Sequence, residues 1–238
     1  FDYQGQDAVF AEPVAQGSYQ HPGAAGFFPD PSITRRGDDY YMVLSSFSYT
    51  PGLPILHSTD LVNWQLIGHA LSRASQVDMS GMQVSRGIFA PTIRYHDGTF
   101  YLITTVVDKG GNFILTATDP AGPWSDPIWL PEVEGIDPDI FFDDDGKVYI
   151  SHNGEAPGEA LYEGHRAIWM WQYDPVKKAL QRLSTASLEA ALQHAGKIDR
   201  LAKGIGQGMQ IGQAGQHGAG GLGWPPVAVY PHKIEAQL

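Results

Sequence analysis

One short module, written three times, restricts what this chain can fold into. The stretches "DPSITRRGDDYYMVLSS" from Asp30, "APTIRYHDGTFYLITT" from Ala90 and "DPDIFFDDDGKVYISH" from Asp137 align with one another. Pro31, Pro91 and Pro138 coincide, then Ile33, Ile93 and Ile140, then Tyr41, Tyr101 and Tyr149. Between the Ile and the Tyr lies a turn built from Gly37-Asp38, Asp97-Gly98 or Asp145-Gly146. Each copy therefore reads as strand, tight turn, strand, which is a β-hairpin. An apolar stretch ending in an acidic turn follows each hairpin: "LPILHSTDLVNW", "NFILTATDPAGPW" and "RAIWMWQYDPVKKAL". Four short strands recurring at about fifty to sixty residues are the pattern of propeller blades. A long β-sandwich also offers short strands and Gly/Pro turns, but it does not require the same rhythm at the start of each unit. The expected fold is all-β, a β-propeller.

The alignment puts Asp30, Ala90 and Asp137 in one slot, immediately before the innermost strand of three successive blades. In a propeller these slots converge on the central channel. Pro29 and Pro31 flank Asp30 and Pro138 follows Asp137, so the backbone around both carboxylates is restricted in advance. Two preset acids facing one axial pocket suit acid–base chemistry on a neutral substrate. The formal charge of −11 repels a phosphate backbone, which argues against nucleic acid as a partner. No apolar run is long enough to cross a bilayer as a helix, so no membrane partner is expected. The absence of cysteine removes disulfides and thiolate-bound metals, and fits a secreted and a cytosolic protein alike.

Five stretches carry a resemblance: "GFFPDPSI", "DDYYMVLSSFSYTPGLPILHSTDLVNWQLIGHAL", "GIFAPTIRYHDGTFYLITT", "GIDPDIFFDDDGKVYI" and "YEGHRAIWMWQYD". Together they resemble glycoside hydrolase family 43, whose members are five-bladed β-propellers, mainly β-xylosidases and α-L-arabinofuranosidases. The resemblance spans about Gly26 to Leu180, enough for three blades. It implies that Asp30, first acid of "PDPS", is the general base, and that Asp137, which opens "DPD", tunes and orients the general acid. It implies further that Phe47, the aromatic after "SS", lines the sugar subsite. Phe89 of "GIFAP" stands where the family usually stacks a Trp on the substrate. The implied reaction is hydrolysis of terminal xylosyl or arabinofuranosyl linkages of plant-cell-wall oligosaccharides with inversion, without metal or cofactor.

The family's general acid is the Glu of an "EGPH" motif at the start of the fourth blade, and no such motif occurs in the chain. Glu163-Gly164-His165 is the nearest imitation, placed before an outer strand of the third blade, and reads as an ordinary loop. Activity is thus expected to be impaired, and the alternative is a non-catalytic sugar-binding or inactive propeller fragment. From about Gln181 the character changes. Leu188, Leu192, Ile198 and Leu201 fall at helical spacing, predicting a helix from Ser187 to Lys203, and a Gly-rich segment follows. The expected division is a lead-in over 1–25, a partial propeller over 26–180 and an unrelated tail over 181–238. The run Asp143-Asp144-Asp145 reads as a hairpin tip with its acids in water rather than a calcium loop. His57, His69, His96 and His152 read as satisfied polar residues near strand ends, and the nine histidines show no metal-binding spacing.

Overall fold

The structure, a computed structural model, describes residues 15–19 and 26–182, all within a compact unit that runs from Phe1 to Ala191. The helix expected over Ser187 to Lys203 and the Gly-rich segment lie outside the described residues.

Twelve strands form three four-stranded antiparallel sheets, each threaded in chain order. The first holds β1 (Ser32–Arg36), β2 (Asp39–Val43), β3 (Gly52–Ser58) and β4 (Gln65–Leu71). The second holds β5 (Thr92–His96), β6 (Thr99–Val106), β7 (Gly111–Ala117) and β8 (Ile128–Trp129). The third holds β9 (Ile136–Phe142), β10 (Val148–Glu155), β11 (Arg166–Asp174) and β12 (Ala179–Arg182). These are three blades of a β-propeller, and the strand–turn–strand module read from the sequence is the inner hairpin of each.

The repeated residues have repeated jobs. Ile33 pairs across its hairpin with Met42, Ile93 with Leu102 and Ile140 with Ile150. After the third strand of each blade an Asp folds the chain back. Asp60 accepts from the N–H groups of Val62 and Asn63, Asp119 from that of Ala121, and Asp174 from those of Val176 and Lys177. A short acidic side chain that satisfies N–H groups two or three residues ahead is a turn former, which explains the acidic turn in each repeat.

Adjacent blades bury a shared apolar layer. Between the first and second it holds Val43, Ile55, Ile93, Phe100, Leu102, Phe113 and Trp124; between the second and third it holds Ile103, Ile114, Ile140, Val148, Ile150 and Tyr173. The Ile of the repeat points toward the preceding blade, so Ile93 and Ile140 are fully buried while Ile33 is 44% exposed. The inner strands are stitched by side chains. The N–H of Ile93 donates to Ser32 Oγ at 3.1 Å and that of Tyr95 to Thr34 Oγ1 at 2.9 Å. Matching steps of two on both strands mean that β1 and β5 run parallel, with their first residues on the same rim. Arg94 pairs with Asp139 at 2.8 Å and ties β5 to β9. Burial pushes the Asp139 carboxyl above its usual pKa, and the guanidinium of Arg94 works against that rise.

The hairpin tip over Asp143 to Lys147 departs in part from the reading as three solvated acids. Asp143 is buried, and its carboxylate accepts from the N–H of Asp144 at 2.8 Å. Asp145 accepts from the N–H of Lys147 at 2.9 Å and also pairs with the Lys147 ammonium. A five-residue connection leaves backbone N–H groups that a tight two-residue turn would not, and these acids satisfy them.

Candidate active site

Because each blade is a meander, the starts of β1, β5 and β9 and the β2–β3 loop all lie on one rim. Asp30, Ala90 and Asp137 stand at or beside those starts. Asp30 has φ of 51° and Asp137 of 55°, both in the left-handed region, whereas Ala90 is not among the residues with positive φ. A residue before proline ordinarily takes an extended conformation. The two acid-bearing slots depart from that preference and the Ala slot does not. Left-handed backbone costs a non-glycine residue roughly 1–3 kcal/mol and persists only where its surroundings enforce it, although Asp tolerates it better than most.

The enforcing contacts are specific. Ser45, buried at 3% exposure, donates from Oγ to Asp30 Oδ2, and its N–H donates to the carbonyl of Pro29 at 3.1 Å. Asp137 sits in a β-bulge: Ser151 pairs with Asp139 and Asn153 with Ile136, so Asp137 and Pro138 together oppose His152. A bulge re-aims one side chain without disturbing the ladder beyond it. The approach to Asp137 is held from the neighbouring blade. Asn112, fully buried, donates from Nδ2 to the carbonyls of Val133 at 2.5 Å and Gly135 at 3.1 Å, and accepts from Thr105 Oγ1 at 2.6 Å.

The two carboxyls act on each other. Asp137 is pushed up from the ordinary carboxylate pKa, first by partial burial and then by the negative charge of Asp30. The guanidinium of Arg166 opposes the rise. Arg166 is fixed by its own bond from Nε to Asn153 Oδ1 at 3.0 Å, directly across the bulge.

Phe47 and Phe89 meet edge to face with ring centroids 5.7 Å apart. Phe47, itself left-handed at φ 47°, exchanges backbone hydrogen bonds with Ile88 at 2.8 and 3.0 Å. Phe89 is pinned by its N–H to the carbonyl of Thr105 at 2.9 Å, and the Arg86 guanidinium lies 5.8 Å from its ring. The structure thus brings Asp30 and Asp137 into electrostatic contact and joins Phe47 to Phe89 in one aromatic wall. Phe47 lies two residues from the Ser45 that holds Asp30.

Glu163 is exposed in the loop between β10 and β11, where the charges that act on Asp137 are those of Asp30 and Arg166. Among the described residues no group of His, Asp and Glu side chains is placed to hold a metal ion. His57 is bonded to Asp39 at 2.6 Å and His96 stacks on Phe142 at 4.3 Å. His152 departs from the expectation of a satisfied residue near a strand end. It lies inside β10, takes the Trp171 indole N–H on Nε2 at 3.1 Å, and leaves Nδ1 buried without a hydrogen-bond partner. Burial pushes its pKa down.

Ser45, Asn112 and Arg166 escaped sequence reasoning. For Ser45 the signal existed: Ser32 pairs with Val43, so continuing the register by two residues sets Ser45 opposite Asp30. Asn112 and Arg166 come from other strands, and no local pattern marks them.

Two acids in enforced backbone conformations beside an aromatic wall, at the mouth of a β-propeller, define the class of site. The chain belongs to Glycosyl hydrolases family 43, whose sequence model matches residues 19–198. It is 53% identical over 175 residues to a xylosidase/arabinosidase of Butyrivibrio fibrisolvens, covering 73% of this chain and 34% of that protein. It is 54% identical over 141 residues to the non-reducing end alpha-L-arabinofuranosidase BoGH43B of Bacteroides ovatus, covering 58% and 26%. Among solved structures, a GH43_12 protein from a capybara gut metagenome superposes with TM-score 0.69 at 47% identity, over 74% of this chain and 34% of that one. The xylan beta-1,4-xylosidase of Bacillus halodurans C-125 superposes with TM-score 0.64 at 41% identity, over 70% and 33%. The chain spans about a quarter to a third of the length of these relatives.

Proposed function

We propose that residues 26–180 are the sugar-binding and acid–base half of a glycosidase that cleaves terminal xylosyl or arabinofuranosyl linkages with inversion. The observation that carries this reading is the Asp30–Asp137 pair: two acids held left-handed on adjacent rim positions, acting on each other, beside Phe47 and Phe89. Relatives named for xylosidase and arabinosidase activity support the choice of a pentose-containing, neutral substrate.

Inversion needs a base to deprotonate water on one face of the sugar and an acid to protonate the departing oxygen on the other. Asp30 fits the base. Its one strong partner in the described residues is a hydroxyl, Ser45, which orients a carboxylate while leaving a second oxygen for water. Asp137 fits the supporting role. A carboxylate beside the acid disfavours ionisation of that acid and keeps its proton available. The aromatic wall offers the apolar surface against which a pyranose or furanose face stacks.

The acid itself is not assigned to any residue. The 238 residues contain no Glu-Gly-Pro-His, and Glu163 stands apart from the pair. That favours a second reading for the chain as given, a sugar-binding propeller segment with little turnover. The two readings separate on leaving-group chemistry. Acid assistance is worth on the order of 10²–10⁴ in rate for an alkoxide leaving group and far less for an acidic phenol. The enzyme reading predicts slow hydrolysis of a dinitrophenyl xyloside or arabinofuranoside, near-inertness toward xylobiose, and loss of the phenol release in Asp30→Ala. Proton NMR of the first-formed sugar should show the inverted anomer. Binding without release of phenol would leave the sugar-binding reading; equal rates on both substrates would require a working acid in the chain.

A further inference from the structure

A cavity of about 520 Å³ opens on the same rim as Asp30, between the β2–β3 loop and the long connection from β4 to β5. That volume lies within the roughly 300–1,000 Å³ of small-ligand sites. Its floor is apolar, with Leu71, Val77 and Ile88 all buried, and Tyr49 stands at its lip, 60% exposed. Arg73 and Asp78 add polar groups to the wall.

Two features join this cavity to the candidate active site. Ile88, part of the floor, exchanges two backbone hydrogen bonds with Phe47. An aromatic track also runs along the rim. Phe89 meets Phe47 at 5.7 Å, Phe47 meets Phe27 at 6.0 Å, and Phe27 meets Tyr49 at 6.0 Å, edge to face. Phe27 is 64% exposed, so the track is open to solvent for much of its length.

The cavity wall is also built to hold its shape. Gln76, buried at 4% exposure, has every hydrogen-bonding function of its amide engaged. Its Oε1 accepts from the N–H groups of Ser72 and Arg73, and its Nε2 donates to the carbonyls of Ala70 and Ser125. Arg73 is tied to the carbonyl of Trp124 at 2.9 Å and to Asp126 at 2.6 Å, and Asp78 to Lys109 at 2.8 Å. A pre-formed pocket loses little entropy on binding.

We propose that this cavity is a second carbohydrate subsite, which takes a neighbouring neutral pentose of the oligosaccharide whose terminal unit lies at Asp30 and Asp137. Tyr49 is its stacking platform. An apolar floor with an aromatic lip and hydrogen-bonding walls matches a sugar ring, which has an apolar face and a hydroxyl-bearing edge. The inference rests on the glycosidase reading of the first site and extends it to substrate length.

The test is titration of the full chain by calorimetry or NMR with xylose, with xylotetraose and with an arabinose-substituted xylotetraose. The wild-type chain should bind a tetraose at least tenfold more tightly than xylose. Tyr49→Ala should cut tetraose affinity about tenfold and leave xylose affinity within twofold. Tyr49→Phe, which keeps the ring, should restore the tetraose affinity and exclude a fold defect as the cause. Xylose bound as tightly as either tetraose, or tetraose affinity indifferent to Tyr49→Ala, would overturn the second subsite while leaving the first intact. Binding of none of the three sugars would overturn both.

Discussion

Substituting Gly135 by Ala should be among the most damaging single-methyl changes available to this chain. The residue sits at φ 95°, and a Cβ built there falls 2.1 Å from the carbonyl oxygen of Asn153 and 3.0 Å from Gly154 Cα. Both obstacles are backbone of β10, in a sheet interior, and neither moves cheaply. The conformation alone costs an alanine roughly 1–2 kcal/mol. Relief of the clash requires β9 and β10 to separate by about an ångström, an overpacking strain of roughly 1–3 kcal/mol. The sum is about 2–5 kcal/mol, or a fall in Tm of about 5–15 °C for a chain of this size. Gly146 supplies the control. Its φ is 79°, but a Cβ there meets nothing within 4 Å. Gly146→Ala should therefore carry the conformational cost alone, about 1–2 kcal/mol. Urea unfolding followed by tryptophan fluorescence measures both. Equal losses in the two variants would refute the claim that the chain leading to Asp137 is packed against the backbone of β10.

Two further outcomes follow from the same region. Asn112→Ala strips partners from the carbonyls of Val133 and Gly135 and from the Thr105 hydroxyl; with buried groups left unsatisfied at roughly 1–3 kcal/mol each and partial recovery by water, about 2–4 kcal/mol should be lost in urea unfolding. Asp137→Asn should stabilise the chain at neutral pH. Because the folded chain holds the Asp137 proton more tightly than the unfolded chain, this group's contribution to stability is present below the unfolded pKa and lost as pH rises through the folded one. The Tm gain of Asp137→Asn should then be about 1–2 °C at pH 7, after discounting for the exposed position, and should vanish toward pH 3. Thermal scans across that range check the sign.

The propeller was legible because its period is written in residues with strong local preferences. Proline, an Asp/Gly turn and a β-former recur at matching offsets, and each resolves into the same hairpin. The acid turn after each third strand was legible for the same reason. The two-residue strand β8 was not, since Ile128 and Trp129 are too few to show alternation; they pair because Phe113 and Ile114 of β7 offer an open edge. The acids and aromatics of the site could be found by alignment of the repeats and by resemblance. Their supports could not. Ser45 required carrying a strand register past its end, Asn112 reaches from one blade to the loop before the next, and the bulge at Asp137 depends on a packing that spacing does not encode. The left-handed backbone at Asp30 and Asp137 runs against what a following proline ordinarily imposes, so local rules pointed the other way at the two residues that matter most.

The mutual action of Asp30 and Asp137 is the central claim, and a carboxyl titration tests it most directly. With aspartate labelled at the carboxyl carbon, the Asp137 resonance is followed against pH in the wild-type chain and in Asp30→Asn, which keeps the shape and removes the charge. Asp137 should titrate above the ordinary carboxylate range in the wild type, and its midpoint should move down in Asp30→Asn while remaining raised by burial. A midpoint that is the same in both proteins would mean that the two acids do not share a site.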